Sequence, residues 1–293
     1  MMAVSLSDVL EIEHRDDDQL ELAVGFPEGV GIPLDEKDRA WCIPADQSNL
    51  VICALDQLRI ALGKPHAGAS LRLLKRIPAM AGLGGGSADA AAALVLGILL
   101  WTTRMEIDPL IAIASDLGSD INFFLESHQH GTWLARCTGR GERIERLNCP
   151  IPLHFVIVHP PRGCSTKDVF EAFGANPQPK LENTPDQIIR SLRTGDVNAI
   201  GEALLNRLEN SAVQTTTWIE RTRKRIDRYD HLGQCMSGSG SARFCLCTSR
   251  EEAEKIAIEI QSEGEMRAYC AQSWQSPGIE EQLVAIRNRP KVG

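Results

Sequence analysis

Between residues 78 and 94 the chain reads PAMAGLGGGSADAAAAL. Four glycines, Gly82, Gly84, Gly85 and Gly86, fall within five positions and run straight into Ser87 and an alanine-rich stretch. Upstream, Leu71–Ile77 predicts a strand that ends at Pro78; downstream, Ser87–Trp101 predicts a helix. Glycine permits φ > 0 and lets backbone N–H groups approach a ligand with no Cβ in the way. A helix N-terminus adds unpaired N–H donors and the positive end of the helix dipole. Pro78, Ala79, Met80, Ala81, Gly82, Leu83, Gly84, Gly85, Gly86, Ser87 and Ala88 therefore read as a cradle for a nucleotide's phosphates. A tight strand–helix turn packed by small residues is the plainer alternative. The loop is not a Walker A segment, because no Gly-Lys-Ser/Thr closes it. Nor is it the Rossmann fingerprint, since Ser87 stands where the third glycine would be.

The rest of the chain places this loop in an α+β enzyme. With 293 residues the chain is long enough for two domains. Val9–Glu13 and Leu20–Val24 alternate apolar and charged residues around Asp16, Asp17 and Asp18, and predict a β-hairpin with a solvated turn. Asn49–Leu62 has helical spacing. Trp133–Cys137 and His154–His159 read as strands, and Pro160-Pro161 marks a seam between halves. Beyond it, Asp186–Leu192, Asp196–Leu208 and Thr216–Tyr229 predict helices. A second glycine-serine loop at Ser237–Ser241 precedes a strand at Ala242–Cys247, a helix at Glu251–Glu263 and a last strand at Met266–Ala271. The net charge of −8 gives no general affinity for nucleic acid or anionic membrane. No apolar run reaches the length of a membrane span. Nine scattered cysteines without a CxxC pair predict free thiols and a reducing, cytoplasmic setting.

Several segments, in order, carry a family resemblance. Pro78–Leu94 resembles the nucleotide-binding signature of the GHMP kinases. Leu117–Phe124 (LGSDINFF) resembles the "GADVPFF" segment of one branch of that superfamily, and Thr138–Glu142 its "GRGE" turn. Pro161–Phe170 resembles the start of that branch's second domain, and Met236–Ala242 (MSGSGSA) the third GHMP motif. The branch acts on 4-diphosphocytidyl-2-C-methyl-D-erythritol. The resemblance implies a two-domain fold, ribosomal-protein-S5-like over 1–152 and ferredoxin-like over 153–293. It implies transfer of the γ-phosphoryl of ATP, with Mg²⁺, to the 2-hydroxyl of that cytidine-diphosphate-linked sugar alcohol, on the non-mevalonate route to isoprenoid precursors. The chain would work as a monomer or homodimer.

The same resemblance makes Asp120 the general base, although an Asp there also reads as a helix cap. Ser87 becomes a metal- or phosphate-side hydroxyl. Ser237, Gly238, Ser239 and Gly240 would close over the phosphates or the substrate's diphosphate, and Phe170 would stack on the cytosine ring. Taken alone, Phe170 reads as a core residue, and Asn49 as the cap of the helix that follows it. The family's opening lysine segment, "PAKLNL", and its "DGYH" segment have no counterpart, while every later motif is present. That pattern predicts an N-terminally shortened chain. Two alternatives follow: another GHMP small-molecule kinase, or a homologue that binds nucleotide without catalysis.

Overall fold

The computed structural model describes residues 1–102, 108–175 and 185–274. In the first half, β1 (Val9–Arg15) and β2 (Leu20–Gly25) flank a later strand, separated from them by α1 (Leu50–Ala61): β3 (Gly68–Leu74). The sheet order is β1-β3-β2, with β3 antiparallel to β1 and parallel to β2. The expected hairpin is therefore not formed. β1 and β2 alternate exposed and covered residues, whereas β3 buries Gly68, Ala69, Leu71 and Leu73. The strand with most apolar surface takes the centre, where both edges and one face are protected.

Among the described residues four helices cover this half: α1, α2 (Gly85–Trp101), α3 (Asp108–Leu117) and α4 (Ile121–His130). Asn49 caps α1, accepting from the Val51 N–H at 2.9 Å and donating to the Pro44 carbonyl at 2.7 Å. Its capping role is thus realised. α2 is lined by alanine so that α1 can lie close. A Cβ at Gly97 would stand 2.6 Å from Leu55 and 2.7 Å from Leu58. Val51, Leu55, Leu58, Leu94, Ile98 and Leu125 fill the core between these helices and the sheet.

A small ribbon, β4 (Ala135–Thr138) with β5 (Arg143–Arg146), leads to the second half. There β6 (His154–His159) is followed by α5 (Thr166–Ala175), α6 (Pro185–Thr194), α7 (Val197–Glu202), α8 (Glu209–Thr215) and α9 (Trp218–Ile226). β7 (Gly233–Met236), β8 (Arg243–Cys247), α10 (Arg250–Ser262) and β9 (Arg267–Gln272) complete it. The four strands form an antiparallel sheet in the order β7-β8-β6-β9, the ferredoxin-like arrangement. Strand alternation divides the faces: Val156 and Val158 pack with Ala253 and Ile260 of α10, while Phe155 packs with Leu192 and Ile200. The helix expected over Asp196–Leu208 stops at Glu202. Beyond it the Asn206 amide donates to the carbonyls of Met236 and Gly238, at 2.8 and 2.7 Å, and draws the chain out as a loop. Among the described residues no helix is long and apolar enough to cross a membrane.

Candidate active site

The glycine loop lies between the halves and is suspended by its carbonyls. Met80 O accepts from the Cys164 N–H at 3.3 Å, and Ala81 O from the Ala242 N–H at 2.9 Å. Gly82 O accepts from the Ser237 hydroxyl at 2.8 Å. All three donors belong to the second half. In a trans peptide the C=O and the following N–H point opposite ways. The N–H groups of Ala81, Gly82 and Leu83 are therefore turned away from that support. On the other side of the loop, Ala79 N–H is tied to the Ala40 carbonyl at 2.8 Å. The first helical bond of α2 is Ala88 N–H to Gly84 O, 2.9 Å. Helix geometry leaves the N–H groups of Gly85, Gly86 and Ser87 without intrahelical acceptors. Unpaired N–H groups at a helix N-terminus are an arrangement that can receive an anion.

The loop glycines also serve packing within the protein. A Cβ at Gly82 would come within 2.2 Å of the Ser237 carbonyl and 2.8 Å of the Gly240 nitrogen. At Gly84 it would meet the Phe124 ring at 3.2 Å, and at Gly85 the Ile77 side chain at 2.8 Å. These vectors point at protein, so the glycines allow the loop to be gripped from several sides. Gly82 and Gly84 also hold φ of +72° and +71°, and Met80 adopts φ +55°.

Phe124 links this loop to Asp120 one helical turn earlier. Gly82, Leu83, Gly84, Asp120, Ser237 and Gly238 share the wall of one cavity of about 640 Å³. Asp120 stands at the N-cap of α4, yet its side chain makes no capping hydrogen bond. Its carboxylate faces the N-terminal ammonium, whose charge acts on it, and not the helix's own N–H groups. The residue keeps solvent access in the cleft, but its surroundings remove enough water to raise its pKa above the ordinary carboxylate value. The Gly139–Glu142 turn supports this position. Glu142 accepts from the Arg140 N–H at 2.6 Å, and a Cβ at Gly141 would lie 3.0 Å from the Ser119 carbonyl.

The other expected residues divide. Ser237 and Gly238 line the cavity. Ser239 is buried and its hydroxyl lies 2.9 Å from that of Thr166. A Cβ at Gly240 would meet Met236 and Ile219. Ser239 and Gly240 thus anchor the loop in the second half and do not face the cavity, because the loop's far side must pack on α5 and α9. Ser87 is half-buried in the first turn of α2, outside the cavity wall. Phe170 is 54% exposed on α5, one turn beyond Thr166, which removes the core reading. It too lies outside the cavity wall. Two residues were missed. Arg136 lines the cavity and approaches Asp186 at 3.6 Å; a lone basic residue in the apolar run TWLARC was its signal. Asn206, which holds the Ser237–Gly238 loop, carries no local signal.

The halves correspond to known domains. Residues 49–128 match the GHMP kinases N terminal domain and residues 188–265 the GHMP kinases C terminal domain. The fold agrees: a homoserine kinase from Cytophaga hutchinsonii, 20% identical, superposes with a TM-score of 0.65 over 95% of this chain and 89% of that one. The two matched domains and the fold define the GHMP class of small-molecule kinases. Within that class, a solved 4-(cytidine 5'-diphospho)-2C-methyl-D-erythritol kinase is 28% identical, with a TM-score of 0.68 over 92% of this chain and 88% of its own. The enzyme named 4-diphosphocytidyl-2-C-methyl-D-erythritol kinase from Pelotomaculum thermopropionicum is 40% identical over 245 residues, 83% of this chain and 81% of the relative. Its namesake from Carboxydothermus hydrogenoformans is 32% identical over 92% of this chain and 88% of the relative. The chain belongs to the 4-diphosphocytidyl-2-C-methyl-D-erythritol kinase family.

Proposed function

We propose that the protein transfers the γ-phosphoryl group of ATP to the 2-hydroxyl of 4-diphosphocytidyl-2-C-methyl-D-erythritol, a step toward isoprenoid precursors. The observation that carries this reading is the uncapped Asp120 carboxylate sharing a cavity with Gly82–Gly84 and with Ser237. Asp120 accepts the proton of the 2-hydroxyl as its oxygen attacks phosphorus, and the bond to the β-phosphate oxygen breaks to release ADP. Phosphoryl transfer needs little covalent help; it depends on position and on neutralised charge. The loop N–H groups and the N-terminus of α2 supply fixed donors. Ser237 and Gly238 close the wall opposite, and Phe170 is free to stack on the cytosine.

The donor set decides how a metal is held. Among the described residues no cluster of three His, Cys, Asp or Glu could hold a cation. Mg²⁺ characteristically keeps several waters and binds through substrate phosphates and one or two protein oxygens. The residues fit an ion that arrives on ATP, with the Ser87 hydroxyl as the protein's contribution. Bound there, it would offset charge on the transferring group. The chain divides functionally near residue 152, the first part holding nucleotide and base and the second closing the site. All nine cysteines are free, which supports a reducing, cytoplasmic setting.

The test is a phosphorylation assay with this alcohol, homoserine and mevalonate as acceptors, read by ADP release and by phosphorus NMR of the product. Transfer to the cytidine-linked alcohol alone supports the proposal. Transfer to homoserine or mevalonate instead overturns the substrate. Tight ATP binding with no transfer to any acceptor leaves a nucleotide-binding homologue without catalysis.

A further inference from the structure

Beneath the glycine loop lies a charged cluster that no step of the proposed reaction uses. Lys75, the residue after β3, sends its ammonium group to Asp8 and, at 2.7 Å, to Asp89 on α2. The three side chains are 4, 5 and 7% exposed. Asp8 also accepts from the N–H groups of Arg76 and Ile77, at 2.6 and 2.9 Å. It therefore takes up both donors released where β3 ends. The Lys75 ammonium stands 3.4 Å from where a Cβ of Gly85 would be, directly under the start of α2.

Two carboxylates and one ammonium are costly to bury, and a buried ion pair is weak evidence for stability. Its geometry here is specific. Asp8 fixes the strand exit, Asp89 belongs to the second turn of α2, and Lys75 joins them. Between these points lies a loop whose glycines give it more freedom than any other sequence would. A cross-link at the base of such a loop fixes the distance and angle between strand exit and helix entrance. Those two quantities set where the N–H groups of Gly85, Gly86 and Ser87 point.

We infer that Asp8, Lys75 and Asp89 are positioning residues, a clamp that holds the glycine loop in the geometry that receives the nucleotide's phosphates. The inference rests on the reading of the loop as the ATP site. It assigns these residues no contact with substrate.

The experiment compares the parent chain with the neutral triple variant D8N/K75M/D89L. After Asp8→Asn the side-chain carbonyl still accepts from the N–H groups of Arg76 and Ile77. No charge is left unpaired, so the variant is expected to unfold as cooperatively as the parent. Its affinity for a non-hydrolysable ATP analogue, read by calorimetry, should fall by about 10–10²-fold, the scale of a small misplacement of site groups. Its affinity for the cytidine-linked alcohol should stay unchanged. Unchanged ATP-analogue affinity in the folded variant overturns the inference. So does an equal loss for both ligands, which would mark a general structural effect. A pair of single changes gives a second reading should the triple variant not fold. Asp89→Asn keeps an acceptor for Lys75 and should retain most of the affinity, while Asp89→Leu should lose it; equal behaviour overturns the inference. Hydrogen exchange of the parent with and without ADP separates the underlying reading. Absent protection over residues 81–88 defeats the ATP site and the clamp together. Protection there, with full affinity in the variants, defeats the clamp alone.

Discussion

Replacing Gly82 by alanine should unseat the phosphate loop. A backbone cost adds here to the cheaper of two packing responses. The residue holds φ +72°, a conformation that costs a non-glycine residue about 1 kcal/mol. The new methyl would stand 2.2 Å from the Ser237 carbonyl and 2.8 Å from the Gly240 nitrogen, both backbone atoms that cannot swing aside. Overpacking of this kind costs about 1–3 kcal/mol. Relief by separating the loops gives up two hydrogen bonds, Ser237 hydroxyl to Gly82 O and Ala242 N–H to Ala81 O, each worth about 1 kcal/mol. With the backbone cost, the cheaper of the two responses still amounts to about 3 kcal/mol, which is roughly 10²-fold in the affinity of a ligand that needs the loop seated. The control is Gly86→Ala, four residues along the same loop. There the methyl meets only Leu50, at 3.6 Å, and φ is ordinary. Helix propensity should make that variant more stable by several tenths of a kcal/mol. Calorimetric titration with an ATP analogue and thermal unfolding of both proteins decide the matter. Gly82→Ala binding as tightly as Gly86→Ala would refute the account of why glycine stands at 82.

Asp120→Asn should lower turnover by about 10²–10⁴-fold with ATP affinity unchanged; in the parent, the acid limb of kcat/KM should lie above the ordinary carboxylate range, since burial raises this group, and the Asn variant should lack it. Phe170→Ala should weaken binding of the cytidine-linked alcohol by about 1–3 kcal/mol while leaving thermal stability nearly unchanged, because the ring is exposed; a lower melting temperature with intact affinity would return Phe170 to a structural role. His159 is fully buried, neither ring nitrogen has a hydrogen-bond partner, and burial lowers its pKa to about 4. The unfolded chain therefore binds an extra proton between about pH 6.5 and 4, so stability should fall by up to about 3 kcal/mol as pH drops through that window; urea unfolding of His159→Phe should show a flatter pH dependence than the parent.

The glycine loop, α1, α2, β6, β8 and α10 were legible because each is governed by local pattern: capping residues, periodicity and small-residue runs. The expected hairpin failed for a non-local reason. β1 and β2 carry the right alternation for a pair, but nothing within them tells that β3 will come between. α8 and β7 were not foreseen: α8 is only seven residues long, and β7 is four residues on a sheet edge. In the site, motif order singled out Asp120 and Ser237, which share the cavity wall, while Ser239 and Gly240, singled out with them, lie on the packed side of their loop. A turn's sequence gives its flexibility and not which of its faces is packed. The Asp8–Lys75–Asp89 cluster joins residues 67 and 14 positions apart, which no single window displays.

The carbonyl suspension of the glycine loop bears on how such a protein can be recombined. By sequence the loop belongs to the first half; by hydrogen bonds it hangs from Cys164, Ser237 and Ala242 in the second. A chain severed between Pro160 and Pro161 would give two pieces. The first would carry the helical core of α1 and α2, the second most of its own sheet core, and neither a finished phosphate site. Grafting the first piece onto a foreign partner would transmit the signature PAMAGLGGGS intact and lose the geometry that the signature encodes. The motif and the site are inherited separately, and swapping halves between relatives tests the fit of their loops before it tests their chemistry.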